Sequence, residues 1–315
     1  MAFQPKAYFL KHRLGCVFAA LFLFAGAVLW IVNPGVDRLR ASIPEDFISA
    51  TGPRYALAES NLLVVSAARG RNVNTGEART FIGFAGRIRQ AEGSKALKSV
   101  ADIILWVPSL IDGSKITISL TIASVTVGLF LSVFLALGKI SKFGLLSKIC
   151  GGYIFFFRGT PLLMQLFFVY YGLPYISPAL TINDKFTAAF ITFALNGAAY
   201  CAEIIRAAIQ SIDKGQAEAS HALGFSYAQT MRLVIIPQSF RRLIPPVANE
   251  FIMVLKDASL VAVIALMDLT RAAQQISSSS ASVLVYIPAA VIYLIITAFF
   301  TFIFNRLEKK FSVHL

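Results

Sequence analysis

The sequence predicts an all-α integral membrane protein with six transmembrane helices. Three observations carry that expectation. Hydrophobic residues make up 57% of the 315-residue chain and charged residues only 14%. Several apolar runs reach the ~20 residues that a helix needs to cross a hydrocarbon core. The basic residues cluster at the ends of those runs, as short cytoplasmic loops require.

The first run, Leu14 to Val32, follows Lys6, Lys11 and Arg13. A basic flank before an apolar core also describes a secretory signal. This run is long for a signal core, and Asn33, Pro34 and Gly35 lack a small-x-small cleavage pattern. A retained anchor helix with its amino terminus inside is expected, so that residues 1–32 form a tail and anchor. Residues 33–112 are polar and rich in arginine, with Pro34, Pro44 and Pro53. They form an extracytoplasmic insert, because long loops translocate largely regardless of charge. Within it, Asp102 to Leu110 carries Trp106 and is expected to lie along the membrane surface.

The second span runs from Ile116 to Leu137, and Lys139, Lys142 and Lys148 place its end in the cytoplasm. Tyr153 to Gly172 returns outward to a turn marked by Pro174 and Pro178. Phe186 to Ile209 crosses inward, and a polar loop over 210–242 follows. Ile244 to Leu266 goes outward, and Val283 to Phe304 returns to Arg306, Lys309 and Lys310. The core spans 113–307, with a cytoplasmic tail at 308–315 and both termini inside.

The net charge of +13 is also what a nucleic-acid binder would show. Such a binder needs a basic stripe on a solvated face, whereas these charges flank apolar spans. No nucleic acid is expected, and the lipid bilayer is the first partner. Cys16, Cys150 and Cys201 are far apart and form no metal spacing. His12, His221 and His314 are equally scattered, which argues against a zinc site.

The polar loop contains a helix-turn-helix pattern of capping residues. Asp213 with Gln216 can open a helix, and Gly224 can close it in the left-handed conformation. Ser226 with Gln229 repeats the opening, and the second short helix is expected to stop before Pro237. Such a knob can receive force from a partner that changes shape. Glu218 is placed to pair with a cation, and Ala219, Ala222 and Leu223 offer a small apolar face. An ordinary amphipathic connector would show the same caps.

Several ordered motifs resemble one family. Glu218-Ala219-Ser220, Gly224 and Pro237 are similar to the EAA loop of bacterial ABC-importer permeases, with serine at the third place where alanine is usual. Phe157-Arg158-Gly159-Thr160-Pro161-Leu162-Leu163 resembles the FRGTPLL signature of the polar amino-acid branch, the histidine, glutamine, arginine and opine type. Ala199-Tyr200-Cys201-Ala202-Glu203-Ile204-Ile205-Arg206 and Gly215-Gln216-Ala217-Glu218-Ala219 follow that branch too. So do Pro237-Gln238, Pro245-Pro246 and Lys256-Asp257-Ala258-Ser259-Leu260, with Ala258 where threonine is usual. The resemblance covers about 113–307 and leaves the anchor and insert outside it.

It implies a membrane-spanning permease subunit of an ATP-driven amino-acid importer in the bacterial inner membrane. The last five helices would form the permease core, and the loop would dock on a separate ATP-binding subunit through Gly215, Gln216, Glu218, Ala219, Ser220, Gly224 and Pro237. A second permease subunit, identical or paralogous, and an extracytoplasmic amino-acid-binding protein complete the implied set of partners. The chain has no G-x-x-x-x-G-K-[ST] phosphate loop, so ATP is expected on the partner and no cofactor here. No catalytic constellation is visible, HExxH and G-x-S-x-G both being absent, so the chain reads as no enzyme.

Charged groups near the bilayer are costly and become site candidates by default. Arg158, Thr160, Glu203, Arg206, Glu250, Lys256 and Asp257 are the candidates for a pathway that meets the ammonium and carboxylate of an amino acid. The alternative for each is helix-to-helix pairing, or snorkelling to the interface. Glu203 and Arg206 stand one turn apart and can pair with each other. A stand-alone channel or secondary transporter is the competing function, and a membrane-anchored sensor using the insert is another.

Overall fold

The computed structural model describes residues 95–312, with side chains from 99 to 310. The expected anchor at Leu14 to Val32 and most of the expected insert lie outside the described residues. Every described element is helical, and no strand occurs among them.

The described residues open with α1 (Lys95–Ile140), followed by α2 (Gly144–Gly159) and α3 (Leu162–Phe167). A π-helical turn (Phe168–Gly172) joins α3 to the short α4 (Leu173–Ile176). Next comes α5 (Lys185–Gln210), which Asp184 starts by accepting a hydrogen bond from the Thr187 amide at 2.8 Å. The loop helices are α6 (Lys214–Ala222) and α7 (Tyr227–Thr230). A second π-helical stretch (Met231–Ile235) leads into α8 (Ile236–Asp257). After a 3-10 segment (Ala258–Ile264) come α9 (Leu269–Ser280) and the long α10 (Tyr286–Ser312).

Three of these segments are long and apolar enough to cross a bilayer: Ser99–Ile140, Lys185–Gln210 and Val283–Lys310. The pair α2 and α3–α4 makes a fourth if it is one span, bent by 102°. The expected spans at Ile116 to Leu137, Phe186 to Ile209 and Val283 to Phe304 fall within these segments.

Three expectations are corrected. Asp102 to Leu110 is not a separate surface piece but part of α1, whose 46 residues run unbroken through Pro108. At about 1.5 Å per residue the helix is roughly 69 Å long, more than twice the ~30 Å hydrocarbon core. Tyr153 to Gly172 is not one straight helix, because Pro161 lacks an amide hydrogen and Thr160 is extended at φ −113° and ψ 145°. Ile244 to Leu266 is not a continuous α-helix: α8 ends at Asp257, where polar residues interrupt the apolar run, and the 3-10 segment takes over.

The described residues fall into two compact units, 120–258 with 297–312, and 95–119 with 259–296. In the first, Ala136, Ile154, Ala199, Ala202 and Ile205 form a core bordered by Tyr153, Phe157 and Leu243. Its alanines let helix backbones approach closely, as association within lipid favours. In the second, Leu110, Leu269, Ala273, Ile276 and Val285 pack with Trp106 at the margin. Several hydroxyls in the apolar helices bond back to their own backbone. Thr126 donates to the Ile122 carbonyl at 2.7 Å and Thr192 to that of Ala188 at 2.8 Å. Lipid offers no partner in their place. Meanwhile Leu294 and Ile295 on α10 are more than 60% exposed, a surface suited to acyl chains.

Gly113 is a tight contact in the second unit. A Cβ there would lie 2.7 Å from the Asp268 carbonyl oxygen and 3.0 Å from Leu269 Cα. Both are backbone atoms, so the helices themselves must part. Gly113→Ala is expected to cost about 1–3 kcal/mol, seen as a lower thermal midpoint of the detergent-solubilised protein; an unchanged midpoint contradicts this packing.

Candidate functional site

The 210–242 loop folds as a set of hydrogen-bonded caps. The Asp213 carboxylate accepts from the Gly215 amide at 2.7 Å and starts α6. At the other end Gly224 adopts φ +80°, a conformation that glycine enters without steric cost. The Phe225 amide then donates to the Ser220 carbonyl at 3.0 Å, and the Gly224 amide to that of His221 at 2.9 Å. Together these satisfy carbonyls that a helix end leaves open. Ser226 and Gln229 form a reciprocal capping box at the start of α7, with distances of 2.8 and 3.4 Å.

Gln216 does not complete a capping box with Asp213. Its side-chain oxygen accepts from Gln238 Nε2 at 3.0 Å, which ties α6 to the first turn of α8. Arg242 reaches from α8 to the Ser211 carbonyl. Ser220 is buried, its hydroxyl donating to the Gln216 carbonyl at 2.6 Å, so the small side chain in the third place of Glu-Ala-Ser fits its site. Glu218 and Ala219 are exposed. So are Leu223, at 77%, and Tyr227, at 59%. An apolar, partly charged surface therefore sits on a stiff support.

Helix α7 itself ends at Thr230, but the helical path does not stop before Pro237, contrary to the sequence expectation. The chain stays helical through the π-helical stretch and into α8, with Pro237 in its first turn. The π-helical turn just before it widens the backbone and makes room for the proline ring.

The pathway candidates do not converge on one cluster. Glu203 pairs with Arg206, whose Nε donates at 2.9 Å, and also with Lys139 Nζ of α1 at 3.0 Å. Arg206 also donates to Gln210. Glu203 is paired from both sides, and the Lys139 contact locks α1 to α5, so pairing accounts for Glu203 and Arg206. Lys139 entered the sequence reading only as a loop charge. Glu250 is buried, with Arg158 and Asp257 in electrostatic reach, while Lys256 is exposed and Asp257 half-buried.

Arg158 stands at the end of α2, its guanidinium 5.3 Å from the Tyr200 ring centroid on α5. The break behind it is filled by two side chains that the sequence reading missed, Gln165 and Asn196. Gln165 Nε2 lies 2.9 Å from the Phe157 carbonyl, 3.1 Å from that of Thr160 and 2.8 Å from the Thr160 hydroxyl. Asn196 Nδ2 donates to the same Phe157 carbonyl at 3.1 Å and to Gln165 Oε1 at 3.0 Å. Thr160 closes the set by donating to the Phe156 carbonyl at 2.9 Å. A lone carboxamide within each of two apolar runs was the available signal.

Described residues that fold only into helices, several of bilayer length, with a broken span and a capped polar loop, are those of a multi-pass membrane protein of the transport type. The chain belongs to the family described as the inner membrane component of binding-protein-dependent transport systems, whose pattern matches residues 80–313. It is 40% identical over 205 residues to the arginine transport system permease protein ArtQ of Bacillus subtilis (strain 168), covering 65% of this chain and 93% of that one. It is 38% identical over 212 residues to the glutamine transport system permease protein GlnP of Escherichia coli (strain K12), covering 66% and 96%. Among solved structures, an amino acid ABC transporter crystallised with histidines matches with a TM-score of 0.61 at 41% identity, over 64% of this chain and 94% of that one.

The loop geometry makes Gly224 a sensitive position. Gly224→Val places a branched side chain at positive φ, with an expected cost of about 1–2 kcal/mol. Trypsin should then cut faster within 213–232 in native membranes; unchanged cleavage would mean the cap does not govern loop rigidity.

Proposed function

We propose that the chain is the membrane-spanning permease subunit of an ATP-driven amino-acid importer in the bacterial inner membrane, coupled to a separate ATP-binding subunit. The observation that carries this reading is the capped elbow, α6 and α7. It offers Leu223, Tyr227 and Glu218 to a partner while Gln238 binds it to the base of α8, which Arg242 ties to the end of α5. A motor that moves on hydrolysis needs a rigid lever, and hydrogen-bonded caps supply one where a loose loop would absorb the motion.

Amino acids as cargo are supported by the names of ArtQ and GlnP, and by identities of 38–40% over nearly their whole lengths. On this reading the chain has six spans with both termini in the cytoplasm, the first span being the anchor before residue 33. It pairs with an identical or paralogous permease and receives solute from an extracytoplasmic binding protein. Gly215, Gln216, Glu218, Ala219, Ser220, Gly224 and Pro237 build or present the docking elbow. Arg158, Thr160, Glu250, Lys256 and Asp257 are the candidates for contact with the solute along the pathway.

Glu218→Arg reverses the charge on the exposed face of α6 without touching a cap. In membrane vesicles carrying the complete transporter it should reduce ATP-driven uptake at least roughly tenfold while ATP hydrolysis continues. Unchanged uptake would remove this face from the coupling contact.

A further inference from the structure

The break between α2 and α3 is held by chemistry that a passive kink would not need. A helix ending in lipid leaves its last carbonyls without partners. Here Thr160 takes the Phe156 carbonyl, while Gln165 and Asn196 both point an amide nitrogen at the Phe157 carbonyl, from α3 and α5. The two carboxamides also bond to each other, and both residues are buried. The next residue after this doubly held carbonyl is Arg158.

Helix α5 grips the broken end at successive turns. Leu195 accepts from the Tyr153 hydroxyl at 2.7 Å, Asn196 holds the Phe157 carbonyl, and Tyr200, one turn on, lies under the Arg158 guanidinium. A cation over a ring face is attracted by the π-system and keeps its N–H donors free at the edge. Among the described residues no hydrogen bond or ion pair engages that guanidinium, although buried Glu250 is within electrostatic reach. It is thus an exposed cation over a ring, with unused donors in a fork that matches a carboxylate.

We propose that Gln165 and Asn196 are positioning residues for transport: their paired carboxamides fix the broken end of α2 so that Arg158 meets the carboxylate of the passing amino acid. This rests on the permease reading above, with Arg158 on the pathway. Neither carboxamide touches the solute, and both act through the Phe157–Arg158 backbone.

The test uses the complete transporter in membrane vesicles and labelled L-arginine and L-glutamine as probes. Gln165→Met and Asn196→Leu remove the carboxamides at similar volume. Each should raise the uptake KM roughly tenfold while the maximal rate stays within about threefold. In an Arg158→Ala background the same substitutions should change KM less than about twofold, because the group they position is gone. Equal effects with and without Arg158 overturn the proposal. So does a fall in maximal rate, in step with protein level, at constant KM. Should either apolar variant fail to reach the membrane, Gln165→Ser and Asn196→Ser replace them, and an unchanged KM in those also overturns it. Failure of the permease reading looks different: the unsubstituted transporter would then show no ATP-dependent uptake of any amino acid.

Discussion

A chain in lipid must satisfy its own backbone, and at two departures from the α-helix here the chain supplies the matching groups. Hydrocarbon gives no hydrogen bond to a freed carbonyl, and an unpaired group costs several kcal/mol. At Thr160 and Pro161 the carboxamides of Gln165 and Asn196 and the Thr160 hydroxyl take the carbonyls that the break releases. In the 210–242 loop the Schellman closure at Gly224 and the capping box at Ser226 do the same work with short-range bonds. Both sites are therefore stiff where irregular backbone would otherwise be soft.

That stiffness joins the two parts of the proposed mechanism. The elbow is bonded to the start of α8 through Gln216 and Gln238, and Arg242 adds a bond to Ser211 at the end of α5. Helix α5 in turn holds α1 through Lys139 and Glu203, and the broken end of α2 through Asn196. Displacement of the elbow thus bears on the same helix that fixes Arg158. A continuous line of bonds from the proposed docking surface to the proposed pathway cation is what coupling by a separate motor requires.

The loop was legible in the sequence because caps are local. Asp213, Gly224 and the Ser226–Gln229 pair announce their roles within a few residues, and the structure places each one there. Span ends were harder. Pro108 lies inside α1 and Pro237 inside the first turn of α8, so proline did not mark a stop at either position. The widened π-helical turn before Pro237 eases its ring into place. The Glu203–Arg206 pair followed from helical spacing alone. Its third member, Lys139, lies 64 residues away, a distance no periodicity reports. Gln165 and Asn196 were overlooked for the same reason: each looks like an isolated polar residue until folding sets them 3.0 Å apart.

The central claim is that this chain moves solute only when a nucleotide-hydrolysing partner drives it through the elbow. Reconstitution tests this most directly, with the chain placed in liposomes alone and with a co-purified ATP-binding subunit and binding protein, and labelled amino acids supplied outside. ATP-dependent accumulation in the assembled complex, with none by the chain alone, is the predicted result. Solute movement by the isolated chain, down a gradient or up one, would contradict it.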